Sequence, residues 1–383
     1  MDITDGKRSL DIAIVIDTYD DSKNGAVIST KRFVELLEPQ HRVFVISTGD
    51  PAPDKILLPA FYPFGVRRIM KRMKTPLAIP SLRILKKSLR GKDIVHVQFP
   101  FLLGLRAIRI AHKLHIPVVT TFHIQAEHLA LNAGIHSDSF IRYCYKFWMK
   151  YYFNCSDLVV CPSKFAQKEL HAYGLKSPSV IISNGIIPMF RPMMVEKPPE
   201  YSNKFIVISV GRFAPEKRQK IIIQAIAGSK HRESTQLILI GEGPEKEKLI
   251  ELGKILPNPP VLTSLSQQEL VRYYNFSDIY IHAATIEVEC MSVMEAMACG
   301  LPPIIAQSSK SATQQFALDS RSLFPMDNPD ELTKQLDYWI EHPIELAIAK
   351  QQYCESSCHY RIERSFAKLL ECYYNLVEDK DLV

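Results

Sequence analysis

The chain holds no window of about 20 apolar residues, so no helix is expected to span a bilayer. The opening MDITDGKRSLDIAIVID has one short apolar run, which reads as a first strand and does not resemble a secretion signal. The eight cysteines are scattered, without the spacing of a small disulfide framework, and reduced thiols in a cytosol are expected. Only Cys354, Cys358 and His359 cluster. The two thiols would share a helix face, but no second ligand pair lies nearby, so no metal is expected there. Short repeats and low-complexity tracts are missing too. Acid is absent from one whole window: Arg67, Arg68, Lys71, Arg72, Lys74, Arg83, Lys86, Lys87, Arg90 and Lys92 stand between Phe61 and Lys92 with no carboxylate among them.

What fills that window is apolar bulk. Val66, Ile69, Met70, Met73, Leu77, Ile79, Leu82, Ile84, Leu85 and Leu89 interleave with the cations. Cations beside bulky apolar residues at helical spacing suit an anionic membrane surface. A solvated helix pair packed on a core is the plainer alternative. A nucleic-acid partner is not expected, because the window's aromatics all lie at its start and no recognised motif accompanies it.

At 383 residues the chain is too long for one ordinary core. Its hydrophobic share of 46% and charged share of 23% are those of a globular protein. The first half alternates strand and helix signals. Strands are predicted at Asp11–Ile16, Val43–Ile46, Ile94–Val97, Pro117–Thr121, Leu158–Val160 and Val180–Ile182. Helical patterns lie between them, at Ile28–Leu37, Leu103–Leu114 and Phe140–Tyr152. PMFRPMMVEKPPEYSNK (188–204) interrupts this with four prolines and no periodicity. Alternation then restarts, with strands at Lys204–Val210, Gln236–Ile240, Asp278–His282 and Pro303–Ala306, and a helical tail from Asp330. The expected fold class is therefore α/β, two doubly wound Rossmann-like domains, with residues 1–190 first, a linker at 191–203 and a second domain at 204–356. Ligands in such sheets lie at the carboxyl ends of strands, and with two facing domains in the cleft between them.

Three loops of the second domain stand at that place. In VGRFAPEKR (210–218), Gly211 ends a strand, and Arg212 and Lys217 are five residues apart, a spacing that lets both cations aim at one diphosphate. In IGEGPEKEKL (240–249), Gly241 and Gly243 allow close backbone approach, although a plain strand-to-helix turn reads the same way. The third is TIEVECMSVMEAMACG (285–300). Ser292 and Glu295 have capping-box spacing, and Gly300 followed by Pro302 marks a helix end. Amides around Met291, Ser292 and Val293 would favour an anion. Glu287 lies ahead of that helix, where a carboxylate repels phosphate, so its presence points to a neutral, hydroxylated ligand such as a sugar.

EVECMSVMEAMACG resembles the E-x7-E element of the retaining glycosyltransferases of family 4, with Glu287 and Glu295 as its acids, and GRFAPEK resembles that family's donor-diphosphate loop. The Gly25 loop, Thr121–His123 and Cys161–Phe165 fall where the family has strand ends. The resemblance implies a GT-B architecture, with a nucleotide sugar on the C-terminal domain, the acceptor on the N-terminal domain, and a last helix, within 357–383, crossing back to the first domain. It assigns Arg212 and Lys217 to the diphosphate, Glu287 to sugar hydroxyls, Glu295 to the ribose, and the Met291–Val293 amides to sugar and phosphates. It assigns His123 to the anomeric centre, and Gly25 and Gly211 to close approach. No metal or other cofactor is implied. Two positions depart from the family: Glu289-Cys290 stands where Phe-Gly is common, and SRSLF (320–324) replaces Asn-Gly-Leu. Glu289 reads equally as a second sugar ligand or a solvent-facing acid.

With the basic window on the acceptor side, the resemblance points to the glycolipid-forming branch. The expectation is transfer of glucose or galactose from a UDP-sugar to diacylglycerol or ceramide, by a cytoplasmic enzyme held peripherally on the inner face of the membrane. The alternatives are a soluble polysaccharide or cell-wall transferase, a non-catalytic membrane scaffold, and a nucleotide-sugar epimerase.

Overall fold

Apolar runs of three to six residues, bounded by polar turns, form the strands of two sheets, and every strand in both runs parallel to its neighbours. The structure is a computed structural model that describes residues 7–21, 24–62, 67 and 76–381. The chain divides into two units, one of Met1–Asn184 with Glu363–Val383, the other of Gly185–Ile362.

In the first unit the strands are β1 (Asp11–Val15), β2 (Arg42–Ser47), β3 (Lys55–Leu57), β6 (Ile94–Val97), β7 (Val118–Thr121), β8 (Leu158–Cys161) and β9 (Ser179–Ile181), in the order 3-2-1-6-7-8-9. A two-stranded hairpin, β4 (Ala60–Phe61) with β5 (Leu77–Ala78), stands apart from that sheet. Among the described residues the unit's helices are α1 (Gly25–Leu37), α2 (Leu82–Leu89), α3 (Leu102–Lys113), α4 (Ala126–Asn132), α5 (Asp138–Tyr151) and α6 (Lys164–Ala172). β1 and β6, neighbours in space but far apart in sequence, mark the point where the strand order reverses.

In the second unit β10 (Phe205–Val210), β11 (Thr235–Ile240), β12 (Val261–Thr263), β13 (Ile279–His282), β14 (Pro303–Gln307) and β15 (Leu323–Pro325) take the order 12-11-10-13-14-15. Its helices are α7 (Gln219–Gly228), α8 (Lys246–Gly253), α9 (Gln267–Phe276), α10 (Met291–Ala298), α11 (Pro329–Glu341) and α12 (Pro343–Ser357). β10, β11 and β13 are buried nearly end to end, as a sheet covered on both faces requires. Residues 191–203, read from sequence as a linker, lie within this unit, and Phe190 just ahead of them is fully buried in its core.

The last helix, α13 (Ile362–Asp381), belongs to the first unit from Glu363 onward. Leu369, Leu370, Tyr373, Tyr374 and Val377 pack there with β1, β2 and α1 side chains. The chain enters and leaves the second unit at one place: Ile186 donates to the Tyr360 carbonyl at 2.8 Å, and Ile362 donates back to Ile186 at 3.1 Å. Gly185 is required there, since its φ is +77° and a Cβ would lie 2.6 Å from the Ile362 Cα.

Candidate active site

Three loops leave the carboxyl ends of β10, β11 and β13. A Cβ on Gly241 would lie 2.1 Å from the Gly211 carbonyl oxygen, so the loops after β10 and β11 pack main chain to main chain. Bonds from Phe213 N to Glu242 O (2.8 Å) and from Glu245 N to Phe213 O (3.0 Å) hold them there.

Arg212 donates to Glu216 Oε1 at 2.9 Å. The Glu216 carboxylate is buried, whereas Arg212 keeps about a third of its side chain exposed. Burial would raise the Glu216 carboxyl, but Arg212 and Lys217 outweigh it and hold the group below its ordinary value. The Glu216 carbonyl also accepts from the Thr285 amide at 2.9 Å, which ties this loop to the one after β13.

Lys217 donates to Glu287 Oε1. The same oxygen lies 3.4 Å from Nε2 of His282, the last residue of β13. Cys290 Sγ lies 3.8 Å from His282 Nδ1 and 3.3 Å from Ser292 Oγ. Burial opposes charge on all three ionic partners, but their mutual attraction prevails. Glu287 is held well below the usual carboxylate range by Lys217 and His282. Lys217 is raised by Glu287 and its neighbours, and His282 is pushed up to about 9 by Cys290 and Glu287. The Glu287 main chain is fixed as well: its N–H donates to the Lys310 carbonyl at 3.3 Å and its carbonyl accepts from the Ala312 N–H at 2.9 Å.

α10 starts two residues earlier than a Ser292 cap requires. Its N-cap is Cys290, with φ +97° and no side-chain cap bond. Ser292 lies inside the helix; its hydroxyl donates to the Val210 carbonyl (3.3 Å) and accepts from Tyr280 (2.9 Å). The capping box expected of Ser292 and Glu295 therefore does not form. A packing role replaces it, setting the first turn, Met291 to Val293, beside the end of β10. The family's glycine at the Cys290 position has a physical reason here, because that backbone conformation is strained for any residue with a Cβ. Glu289 is buried, and it raises the Tyr360 hydroxyl electrostatically after burial has done so, which removes the solvent-facing reading. The helix ends as predicted: Leu301 N bonds Ala296 O and Gly300 N bonds Met297 O, each at 2.9 Å, in a Schellman end.

Gly211, Arg212, Lys217, Glu287 and Met291–Val293 thus share one edge of the second sheet, with Glu295 a turn deeper in α10 and buried. Gly25 and His123 belong to the first unit. Gly25 opens α1, capped by Asn24. His123 follows β7 and its Nε2 bonds Gln98 Oε1 at 2.9 Å; burial pushes its pKa down to about 4. Of the basic window, Arg67 is exposed, and Arg83, Lys86, Lys87 and Arg90 are exposed on or just after α2, beside exposed Ile79 and Leu82. Arg68, Lys71, Arg72 and Lys74 lie outside the described residues. Lys92 faces inward, 3.3 Å from the centre of the Phe44 ring. Sequence reasoning missed Glu216 and His282. The first sits four residues from Arg212, a readable pairing distance; the second ends a strand and carries no local signal.

Among the described residues, no helix is long and apolar enough to cross a membrane. Residues 191–355 match the family Glycosyl transferases group 1, and residues 23–188 match Glycosyltransferase Family 4. The chain is 28% identical over 313 residues to the GDP-mannose-dependent alpha-mannosyltransferase of Mycolicibacterium smegmatis, covering 76% of this chain and 78% of that protein. It is 28% identical over 319 residues to the alpha-monoglucosyldiacylglycerol synthase of Streptococcus pneumoniae, covering 76% of this chain and 70% of that one. The crystal structure of Anabaena HepE in complex with UDP superposes over 96% of this chain and 100% of that chain, with a TM-score of 0.75 at 15% identity, a likeness of fold. The chain belongs to the group 1/family 4 glycosyltransferases, and its two parallel-sheet α/β domains are those of the GT-B fold.

Proposed function

We propose that this glycosyltransferase moves glucose or galactose, with retention, from a UDP-sugar to the hydroxyl of a membrane lipid, diacylglycerol or ceramide, forming an α-glycolipid. The observation that carries the donor half is the convergence of Arg212, Lys217 and Glu287 at one sheet edge beside the first turn of α10. The chemical difficulty is expelling a nucleotide diphosphate from the anomeric carbon. Charge grows on the leaving phosphate while the sugar becomes oxocarbenium-like. Arg212, Lys217 and the α10 terminus stabilise that charge without a metal ion.

In the free protein each cation rests on a carboxylate, Arg212 on Glu216 and Lys217 on Glu287. An arriving diphosphate competes for Lys217, and Glu287 is released to accept from sugar hydroxyls. Glu295 is assigned the ribose, the Gly25 and Gly211 main chain close approach to the phosphates, and His123 the anomeric end of the sugar. The acceptor hydroxyl attacks from the face the diphosphate leaves, and the diphosphate takes its proton.

The acceptor half rests on the exposed cations of α2 beside Ile79 and Leu82, and on the likeness to a diacylglycerol glucosyltransferase. Docking there places the enzyme on the inner, anionic face of the cell membrane. The test offers UDP-glucose, UDP-galactose and GDP-mannose with a membrane lipid extract, and identifies products by mass and anomeric configuration. An α-hexosyl lipid made from a UDP-sugar is the expected result. Transfer only to water-soluble glycans would replace the lipid acceptor, and a mannosyl product would replace the donor. Nucleotide release from no donor would end the transferase reading.

A further inference from the structure

The mechanism above employs Lys217 and Glu287 but gives no task to His282 and Cys290, which crowd the same loop. His282 is buried, and one ligating atom from each of His282, Glu287 and Cys290 lies within 4.8 Å of the others. Imidazole, thiolate and carboxylate are the three ligand types of protein zinc sites, and a soft thiolate–imidazole set selects zinc over magnesium, calcium or manganese. Cys290 is held at φ +97°, where glycine would fit without strain, so the thiol occupies its place against the backbone's preference.

We propose that His282, Glu287 and Cys290 bind a soft divalent cation of the zinc class, with a fourth coordination position left to solvent. The cation and Lys217 would both draw on the Glu287 carboxylate, so two positive centres compete for one anion. Binding releases the thiol proton of Cys290, and any proton on His282, to solvent; nothing is oxidised or reduced. The metal is no catalyst here. By withdrawing Glu287 from Lys217 and crowding the donor edge with charge, it shuts the site, a consequence that rests on the transfer reading. The binding itself does not.

The experiment uses the purified full-length chain and Co2+ alone, without nucleotide. One cobalt per chain is expected, with a thiolate-to-cobalt charge-transfer band in the near ultraviolet, displaced stoichiometrically by Zn2+ and untouched by excess Mg2+. Cys290→Ser and His282→Asn should lose the band, while Cys358→Ser, at the exposed cysteine beside His359, should keep it. Should Cys290→Ser fold poorly, Cys290→Gly removes the thiol while relaxing the backbone. A band that survives in Cys290→Gly, one lost in Cys358→Ser, or none in the wild type overturns the proposal. In parallel, Zn2+ should abolish glycosyl transfer reversibly, with chelator restoring it, and Cys290→Gly should lose that sensitivity. An inactive protein with an intact cobalt band would refute the transfer reading alone; an active, cobalt-blind protein would refute the metal site alone.

Discussion

Glu287 is held from three directions: Lys217 and His282 grip its carboxylate, and residues 310–312 grip its main chain. That is the arrangement of a side chain kept charged and kept still. Removing Lys217 should therefore act on turnover. Lys217→Ala is expected to lower kcat by roughly 10²–10³-fold, the usual loss for one charge-stabilising donor, with the circular-dichroism spectrum unchanged. Wild-type turnover would refute its role. Cys290 gives a prediction of opposite sign for stability. Cys290→Gly should stabilise the second unit by about 1 kcal/mol, strain relief exceeding the added chain entropy, read as a higher denaturant midpoint. At this scale the sequence was legible where spacing alone brings groups together. Arg212 and Lys217 share a loop, and Glu287 precedes a helix start. It was not legible where distant residues meet, as with the Lys217–Glu287 pair itself, and it misassigned Ser292, whose hydroxyl is claimed by Val210 and Tyr280 on neighbouring strands.

Among the elements, the end of β1 carries a buried acid that neither the transfer chemistry nor the metal proposal uses. Asp17 accepts from the Ala78 amide of β5 at 3.0 Å, tying the hairpin to the sheet. Burial, partly offset by that bond, raises its pKa to about 7. A carboxyl raised on folding binds its proton more tightly in the native state, so its contribution falls as pH rises from about 4 to about 7 and is flat above. His96 and His123, lowered to about 3 and about 4, act oppositely: both are neutral in the fold, and stability is lost as pH falls below about 6.5. The two effects oppose each other in acid, so the wild type alone hides both. The stability difference between Asp17→Asn and wild type isolates the acid, and it should grow in favour of the variant from pH 4 to 7. A pH-independent difference would mean that Asp17 titrates in the fold as it does in the unfolded chain. For α2, replacing Arg83, Lys86, Lys87 and Arg90 by Gln should weaken binding to anionic vesicles by about 1,000-fold, at about 1 kcal/mol per cation, measured by sedimentation at low salt. Unchanged binding would leave these cations merely solvated. Long apolar strands such as β6 and β10 were read from sequence within a residue. Of the three-residue edge strands β9 was read, whereas β3, β12 and β15 were not, because so short a run leaves little pattern to detect, and α9 was missed among polar neighbours.

Across the whole chain, two units with separate cores should be separable by their tryptophans. Trp148 lies in the first and Trp339 in the second, and both are buried. A chain ending at Ile362 loses five buried apolar side chains from the first unit, each contributing about 1.5–3 kcal/mol, which together rival the stability of an ordinary domain. In that truncation Trp148 should fluoresce as a solvated residue at every temperature while Trp339 keeps its own melting transition. Loss of both signals together would show that the units depend on each other. The tandem α/β plan was legible from alternation; membership of Gly185–Phe190 in the second core was not, since it depends on where the chain returns.

That return sets an order of events during synthesis. The ribosome emits the whole first sheet long before it emits Tyr373, whose hydroxyl meets His96 at 2.6 Å. At 5–20 residues per second the interval from residue 184 to 377 is roughly 10–40 s. For that time the nascent N-terminal portion carries an uncovered greasy face while the later portion has already had the chance to fold. A cell making this protein must shelter that face, and a stalled or prematurely released chain would present it to chaperones and proteases.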